Sequence, residues 1–377
     1  MKVTKLETFL VKPRSLFLKV HTDEGLVGLG EPTLEGRALT CARAVAELEP
    51  YLIGRDPTRV VHHWQAMYRH AFYRGGPILT SALSGVEQAL WDLAGKALGV
   101  PVYRLLGGPL RDRIRMYGGA GGRTPEEAAE NAREQVRRGY TALKTGIYGG
   151  RPARIVESPG FVERATAVFA AMREAVGADV DIAVDFHGAI SPQTSALLIK
   201  ALEPYQPMFI EEPVQCQNVD VLANLARKTH IPIATGERIF TKWGFREILE
   251  RGAASVLQPD LSHAGGIFEC RIIAGMAESY YAGVAPHCPL GPIALAACFQ
   301  LDVSIPNFLI QEGSAFGVGY LRNPFVLKDG YVETPKGPGL GIELDEDALA
   351  DKIVREPEKF WVNPQTYHPD DGSVIDW

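Results

Sequence analysis

Six short apolar runs in this chain each end on an acidic residue or a histidine, at intervals of 23 to 27 residues. The six terminal residues are Asp185, Glu211, Glu237, Asp260, His287 and Glu312. One buried strand, one returning helix and two short loops need about this much chain, and polar groups at the carboxyl ends of successive parallel strands line the mouth of a (β/α) barrel. The spacing therefore predicts a single reaction centre built from these residues.

Three of these residues, Asp185, Glu211 and Glu237, follow consecutive strands of the pattern. Their hard oxygen donors suit Mg²⁺, which takes a few carboxylates together with water and substrate oxygens. A single acid at a strand end is more often a solvated charge or a helix N-cap, but three at matching positions are harder to explain that way. Crowded carboxylates also repel one another, and a cation removes that cost. The residues therefore predict one Mg²⁺ per subunit.

A second glutamate, Glu212, directly follows Glu211. Neighbouring residues of a strand face opposite sides of the sheet, so only one of the two carboxylates can point into the mouth. The regular spacing favours Glu211, and Glu212 is interpreted as a structural charge.

Two histidines occupy positions that suit acid–base chemistry. His287 ends its strand, and Asp260 ends the neighbouring strand, where its carboxylate can accept the other ring proton and fix the tautomer. His187 follows Asp185 by two residues, so the strand pleat predicts that both side chains face the same way. His263 lies near the mouth without an assigned role. The remaining histidines are interpreted as structural: His21, His62, His63, His70, His230 and His368.

This set of residues fits proton abstraction next to a carboxylate. A divalent cation would hold the substrate carboxylate and stabilise the enediolate that forms when the α-proton leaves. His287 would take that proton, and His187, on the other side of the mouth, would protonate the departing β-hydroxyl. Glu312 would hydrogen-bond the enediolate if its own carboxyl group is protonated.

The elements that must position these residues are predicted to form an α/β, TIM-like barrel. Its strands are predicted near 115–119, 140–144, 181–185, 207–211, 232–237, 255–260, 283–287 and 308–312, with seven helices between them. Thr124 and Ser191 each precede a proline and predict helix starts. The long gap after Lys144 contains GGRPARIVESPG and predicts an insertion at 145–160 near the mouth.

The rest of the chain predicts a second unit. Two strands within 1–22 and helices near 36–53, 57–73 and 80–98 indicate a small α+β domain over residues 1–113. The barrel follows over 114–318. The segment 319–377 changes to Gly, Pro and aromatic residues and is predicted to return to the first domain.

Composition excludes several classes of protein. The 377 residues carry a formal charge of −6, which argues against binding to nucleic acid or anionic membranes. The start, MKVTKLETFLVKPRSLFLKV, has no apolar signal-peptide core, and no segment reaches the ~18 apolar residues that span a bilayer. Five scattered cysteines without CxxC spacing predict reduced thiols and a cytoplasmic protein.

Several motifs resemble the mandelate racemase branch of the enolase superfamily. They are DFHG (185–188), FIEEP (209–213), GER (236–238), QPDLSHAGG (258–266), APHCPLGPIALAAC (285–298) and IQE (310–312). The likeness extends to LKVHTDEGLVGLGEP near the start and KGPGLGIELDE near the end. It therefore covers nearly the whole chain.

The resemblance implies a (β/α)7β barrel beneath an α+β capping domain built from both chain ends. It implies metal ligands at the three carboxylates, a general acid at His187, a base at His287 supported by Asp260, and an enediolate-stabilising acid at Glu312. It also implies a Mg²⁺ cofactor, a small-molecule aldonate substrate and a homo-oligomer.

The leading hypothesis is a hydro-lyase that converts D-galactonate to 2-dehydro-3-deoxy-D-galactonate. Mandelate racemase has a Lys-x-Lys pair where ALKTG offers Lys144 alone, so one-way dehydration is favoured over racemisation. Arg14, Tyr73 and Lys144 are the predicted substrate-binding residues. The alternatives are dehydration of gluconate or a pentonate, epimerisation or racemisation of an acid sugar, and binding of a sugar acid without turnover.

Overall fold

The computed structural model describes residues 1–69, 72–147, 157, 159–357, 360–361, 367–368 and 371–374. Most of the predicted insertion at 145–160 lies outside these residues, as does His70. None of the helices in the described ranges is long and apolar enough to cross a membrane.

The amino-terminal part consists of an antiparallel three-stranded sheet followed by helices. The strands are β1 (Val3–Val11), β2 (Ser15–Thr22) and β3 (Val27–Gly30), and β2 lies in the middle. The helices are α1 (Ala38–Leu52), α2 (Val60–Arg69), α3 (Pro77–Leu98) and α4 (Val102–Leu105). Apolar side chains of the sheet and of the first three helices share one core, in which Leu18 and Val20 meet Trp64 and Leu90.

The middle of the chain forms a seven-stranded sheet whose neighbours are all parallel, with helices between successive strands. A short strand, β4 (Arg113–Arg115), precedes it. The sheet strands are β5 (Gly118–Gly119), β6 (Ala142–Gly146), β7 (Asp181–Asp185), β8 (Ile210–Glu211), β9 (Ile233–Thr235), β10 (Val256–Leu257) and β11 (Gly283–Val284). They lie side by side in chain order, which is an α/β arrangement.

Seven helices accompany this sheet. They are α5 (Pro125–Arg137), α6 (Pro159–Val176), α7 (Pro192–Leu202), α8 (Val219–Ala226), α9 (Thr241–Glu250), α10 (Gly266–Ser279) and α11 (Pro292–Asp302). The predicted eighth strand, 308–312, is present only as isolated parallel bridges. Phe308 pairs with Val284 of the last strand, and Gln311 pairs with Met116 next to the first. This segment therefore connects the two edges of a curled sheet.

The two helix starts predicted from sequence are confirmed. Thr124 accepts a hydrogen bond from the Glu127 N–H at 3.2 Å, and the Glu127 carboxylate accepts one from the Arg123 N–H at 2.9 Å. Ser191 caps α7 by accepting the Thr194 N–H at 3.1 Å. The bonds to the two hydroxyl groups satisfy N–H groups that the first helical turn leaves without a partner.

Two buried carboxylates of the amino-terminal part cap helices of the parallel-sheet part. Glu31, just after β3, accepts N–H groups of Gly291 and Ala294 at the start of α11, at 2.8 and 3.0 Å. Glu87 of α3 accepts two N–H groups at the start of α10, both at 2.8 Å. Burial raises the pKa of Glu31 to about 7 and that of Glu87 to about 8, although these bonds oppose the shift. The two parts are therefore joined at the two helix starts.

The end of the chain returns to both parts. Strand β13 (Tyr331–Glu333) pairs with β4 on one side and with β12 (Leu327–Lys328) on the other, and α12 (Glu346–Ala350) follows. Ile353 bridges to Val11 of β1. The Leu340 N–H donates to Asp92 of α3 at 2.8 Å.

Candidate active site

The polar residues singled out in the sequence meet at the carboxyl-terminal edge of the parallel sheet. Asp185 and Glu211 are the last residues of β7 and β8 and are partners in the parallel register. Glu237 follows β9 by two residues, and Asp260 and His287 lie in the loops after β10 and β11. Parallel strands end at the same edge, so the short strands bring distant parts of the sequence into one place.

Lys144 of β6 lies among the carboxylates. Its Nζ donates to Glu211 Oε1 at 2.9 Å, and it is 2.9 Å from Glu312 Oε1 and 3.7 Å from Asp185 Oδ2. Glu211 Oε2 also lies 2.8 Å from this Nζ, but it receives no hydrogen bond of good geometry. Burial would lower the pKa of Lys144, but Glu211 and Glu312 raise it well above its usual value. Lys144 is therefore a charged ammonium shared by three carboxylates.

The carboxylates are crowded enough to repel one another. Burial raises the pKa of Asp185 to about 6, and the charge of Glu237 adds to this shift. Burial also raises the pKa of Glu211 to about 8, with further contributions from Asp185, Glu312 and Glu237. Within the described residues, no three His, Cys, Asp or Glu side chains are already arranged as a metal site. Together the carboxylates can carry more negative charge than the single positive charge of Lys144 can neutralise.

Glu237 lies between the two histidines. His187 Nε2 is 3.6 Å from Glu237 Oε1, and His287 Nε2 is 3.4 Å from Glu237 Oε2. The two imidazoles therefore approach opposite oxygens of one carboxylate.

His287 is paired with Asp260, whose Oδ2 lies 2.9 Å from Nδ1 of the ring. The Ser262 N–H donates to the other carboxylate oxygen of Asp260 at 2.6 Å and holds it in place. Burial alone would lower the pKa of His287, but Glu237, the bond to Asp260 and Glu312 raise it well above its ordinary value. Nδ1 is thereby engaged, and Nε2 is the nitrogen that faces the carboxylates.

The strand pleat does not position His187. The prediction that the pleat turns His187 to the same side as Asp185 was therefore wrong. Strand β7 ends at Asp185, and His187 follows in a turn with a left-handed φ of 54°. Its N–H donates to Asp185 Oδ1 at 2.7 Å, which fixes the turn. The side chain is 42% exposed, and burial lowers its pKa despite the charge of Glu237. The turn still brings the ring to Glu237.

A comparison with known proteins identifies the family. A family model described as mandelate racemase/muconate lactonizing enzyme, N-terminal domain, matches residues 7–107, and one described as enolase C-terminal domain-like matches 127–348. The chain belongs to the mandelate racemase/muconate lactonizing enzyme family. The family inferred from the sequence motifs is thus confirmed.

Relatives match this family member along its whole length. It is 48% identical to a D-galactonate dehydratase of Ralstonia pickettii (strain 12J) and 46% identical to one of Pectobacterium atrosepticum, with 100% of each chain covered. A solved structure from Burkholderia SAR-1, a putative mandelate racemase/muconate lactonizing enzyme, superposes with a TM-score of 0.90 at 34% identity and 100% coverage of both chains. The predicted status as an enzyme is confirmed.

Glu312 of this family member has a lowered pKa, which bears on its predicted role as an enediolate-stabilising acid. That role needed a protonated carboxyl group. Burial would raise the pKa of Glu312, but Lys144 and His287 outweigh it and lower the pKa to about 2. The Cys288 N–H also donates to it at 3.1 Å. The carboxyl group is therefore an ionised partner of Lys144.

A cavity of about 540 Å³ opens onto part of this site, although Glu237 and His287 are not among the residues that line it. Asp185, His187, Glu312 and two of the predicted substrate-binding residues, Lys144 and Arg14, line it. The structure does not bring the third such residue, Tyr73, to the cavity wall, because its side chain is 82% exposed on the loop before α3. A substrate-binding role for Tyr73 therefore stays a prediction.

Sequence reasoning missed Tyr117, which lines the same cavity next to β5. Its side chain is only 5% exposed, and Lys144 Nζ lies 5.6 Å from the centre of its ring. Its position in the first predicted strand, 115–119, two residues before the strand end, was a usable signal. Glu212 was placed correctly as a structural charge, since it is buried and ion-paired with Arg238.

Proposed function

We propose that this enzyme is a Mg²⁺-dependent hydro-lyase that converts D-galactonate to 2-dehydro-3-deoxy-D-galactonate. The observation that carries the proposal is the pair of imidazoles on either side of Glu237, one of them buttressed by Asp260. Loss of water next to a carboxylate needs one group to take a proton and another to give one. The full-length likeness to D-galactonate dehydratases supports this choice of substrate.

The residues present fit a hard divalent cation. Asp185, Glu211 and Glu237 offer only oxygen donors, and the raised pKa values of the first two mark a site that favours added positive charge. These three carboxylates would hold Mg²⁺. When bound, the cation supplies positive charge against the substrate carboxylate and against the negative charge that develops next to it.

His287 is the proposed base. Its Nε2 would accept the proton from C2, while the Asp260 bond keeps Nδ1 protonated and the ring fixed. Glu237 contributes to the raised pKa of His287. A cation that neutralised the Glu237 carboxylate would lower this pKa, so that more of the imidazole would be unprotonated and able to accept a proton.

His187 is the proposed acid. Its position on the cavity wall lets it give a proton to the departing 3-hydroxyl group, and its lowered pKa makes the imidazolium a stronger acid. Lys144 and Arg14 extend cationic groups into the same cavity and would orient the anionic substrate. Glu312 would hold Lys144 in position through their 2.9 Å ion pair.

The finer architecture is also a proposal. The bridges of Phe308 and Gln311 to the two sheet edges support closure into a (β/α)7β barrel over 114–318. The bridge between Val11 and Ile353 supports a capping domain of residues 1–113 to which 319–377 returns. A cytoplasmic homo-oligomer remains a prediction.

A panel of aldonic acids tests the function. Wild-type enzyme with Mg²⁺ should form a 2-keto-3-deoxy acid from D-galactonate, and EDTA should stop the reaction. Turnover of gluconate or a pentonate, with none of galactonate, would overturn the substrate. C2 exchange with solvent deuterium without keto product would support an epimerase or racemase instead.

Two variants test the roles of the histidines. His287→Asn should abolish both product formation and C2 exchange, because no base remains. His187→Asn should slow loss of the hydroxyl group by ~10²-fold or more while exchange continues. His230→Asn is the matched control, since His230 is exposed and lies between α8 and β9. Full activity of His187→Asn would refute the acid assignment.

A further inference from the structure

His263 lies next to the Asp260–His287 pair. Its Nε2 is 3.8 Å from Asp260 Oδ2, the same oxygen that lies 2.9 Å from His287 Nδ1. His263 is only 4% exposed, whereas the His287 side chain is 14% exposed. It therefore has no access to substrate, but it shares a carboxylate oxygen with the proposed base.

The amino-terminal part of the chain holds this second imidazole. Ser81 Oγ of α3 lies 2.9 Å from His263 Nδ1, and Glu35 Oε2 lies 3.4 Å from Nε2. Burial would raise the pKa of Glu35, but the hydrogen bond and charge of His263 lower it to about 2. Glu35 and His263 therefore form a charged pair, which leaves an imidazolium facing Asp260.

The loop that carries both residues is tied to α3 as well. Gln88 Nε2 donates to Leu261 O at 3.0 Å, and the His263 N–H donates to Asp260 O at 3.0 Å. The backbone around Asp260 is thus fixed from the amino-terminal part. The Ser262 N–H restrains one oxygen of the Asp260 carboxylate, and the other oxygen, Oδ2, faces the two histidine rings.

We infer that His263 is a positioning residue: held by Ser81 and Glu35, it orients the Asp260 carboxylate and through it the His287 ring. The amino-terminal part would then set the geometry of proton abstraction without touching the substrate. This inference rests on the proposed function for its kinetic consequence, but the geometric claim stands on its own.

Two substitutions of His263 separate positioning from packing. In His263→Gln the terminal amide reaches the place of Nε2, so a donor toward Asp260 and Glu35 is kept. In His263→Asn the amide takes the place of Nδ1, so the contact with Ser81 is kept and the donor toward Asp260 is lost. We expect His263→Asn to lower kcat and C2 exchange together by ~10-fold or more at unchanged KM, since partners of a functional imidazole are commonly worth this much. His263→Gln should recover most of this loss, and His230→Asn should behave as wild type.

A measurement without substrate distinguishes failure of this inference from failure of the proposed function. The proton on Nδ1 of His287 should give a low-field NMR resonance that disappears in His287→Asn. That resonance should shift in His263→Asn and stay in place in His263→Gln and His230→Asn. If it does not move in His263→Asn, or if both His263 variants lose equal activity, His263 only fills space and the inference is overturned. If wild type turns over no aldonate, the function fails and the resonance still decides the positioning claim.

Discussion

Replacing Lys144 by methionine removes the one positive charge that three carboxylates share. Methionine keeps the length and apolar character of the side chain, so the change is mainly electrostatic. The lost contacts are those from Nζ to Glu211 Oε1 and Glu312 Oε1, both 2.9 Å, and to Asp185 Oδ2 at 3.7 Å. The Lys144 side chain is only 13% exposed, so water cannot replace the ammonium.

The expected cost follows from burial and from the pKa values. Removing one partner of a buried ion pair costs about 3–5 kcal/mol. The full cost applies only while the carboxylates are ionised, and burial raises the pKa of Asp185 to about 6 and of Glu211 to about 8. Groups whose pKa is raised by folding destabilise the fold as the pH rises through that pKa. Glu312, with a pKa of about 2, is already ionised at pH 5.5, so part of the stability gap between variant and wild type should be present there, and the gap should widen as the pH rises past the pKa values of Asp185 and Glu211.

The assay is thermal or urea unfolding in EDTA at pH 5.5 and pH 8.5, repeated with excess Mg²⁺. The cation should narrow the gap at pH 8.5, because it supplies the missing positive charge. The matched control is Lys242→Met, which breaks a buried pair with Glu269 at 3.0 Å away from the cavity. Its gap should not respond to Mg²⁺. A Lys144→Met gap that ignores both pH and Mg²⁺ would refute the electrostatic argument.

Two further substitutions test single contacts. Asp260→Asn should lower kcat by ~10⁴-fold, because an amide NH₂ facing Nδ1 of His287 forces the tautomer that has no free electron pair at Nε2. Steady-state kinetics measures this effect, and KM should stay near the wild-type value. A loss of kcat below tenfold would contradict the role of Asp260. Gly291→Ala would place a Cβ 2.5 Å from the Glu31 carboxylate and should cost about 1–3 kcal/mol through displacement of the α11 start; an unchanged melting midpoint would argue against that cap.

The sequence predicted features that depend on local chemistry or on a repeated spacing. The starts of α5 and α7 were found because Thr124 and Ser191 act on N–H groups three residues away. The spacing of polar residues correctly indicated the edge where Asp185 and Glu211 meet, since every parallel strand ends there. Strand 181–185 was predicted with its observed bounds, but others were predicted too long: 207–211 is reduced to Ile210–Glu211 because only these residues keep ladder partners.

Features that depend on distant partners could not be predicted in this way. The charge of Glu312 is decided by Lys144, which lies 2.9 Å away in the structure but far away in sequence. The orientation of His187 comes from its left-handed backbone conformation. The sequence does not predict this conformation, because the residue at that position is not a glycine. Tyr73 carried an aromatic ring and a plausible loop position, yet its exposure depends on how the whole loop lies on the surface.

The two carboxylates that cap helices across the molecule have a consequence for how such enzymes can diverge. The first turns of α10 and α11 depend on Glu87 and Glu31, which are encoded in a different half of the chain. A chimera that joins halves of two relatives keeps both helix starts only if the donor carries an acid at each position and the recipient has the space that Gly291 provides. Substitutions in the two halves are therefore constrained to occur together. A transplanted catalytic half needs an amino-terminal part that carries the matching acids.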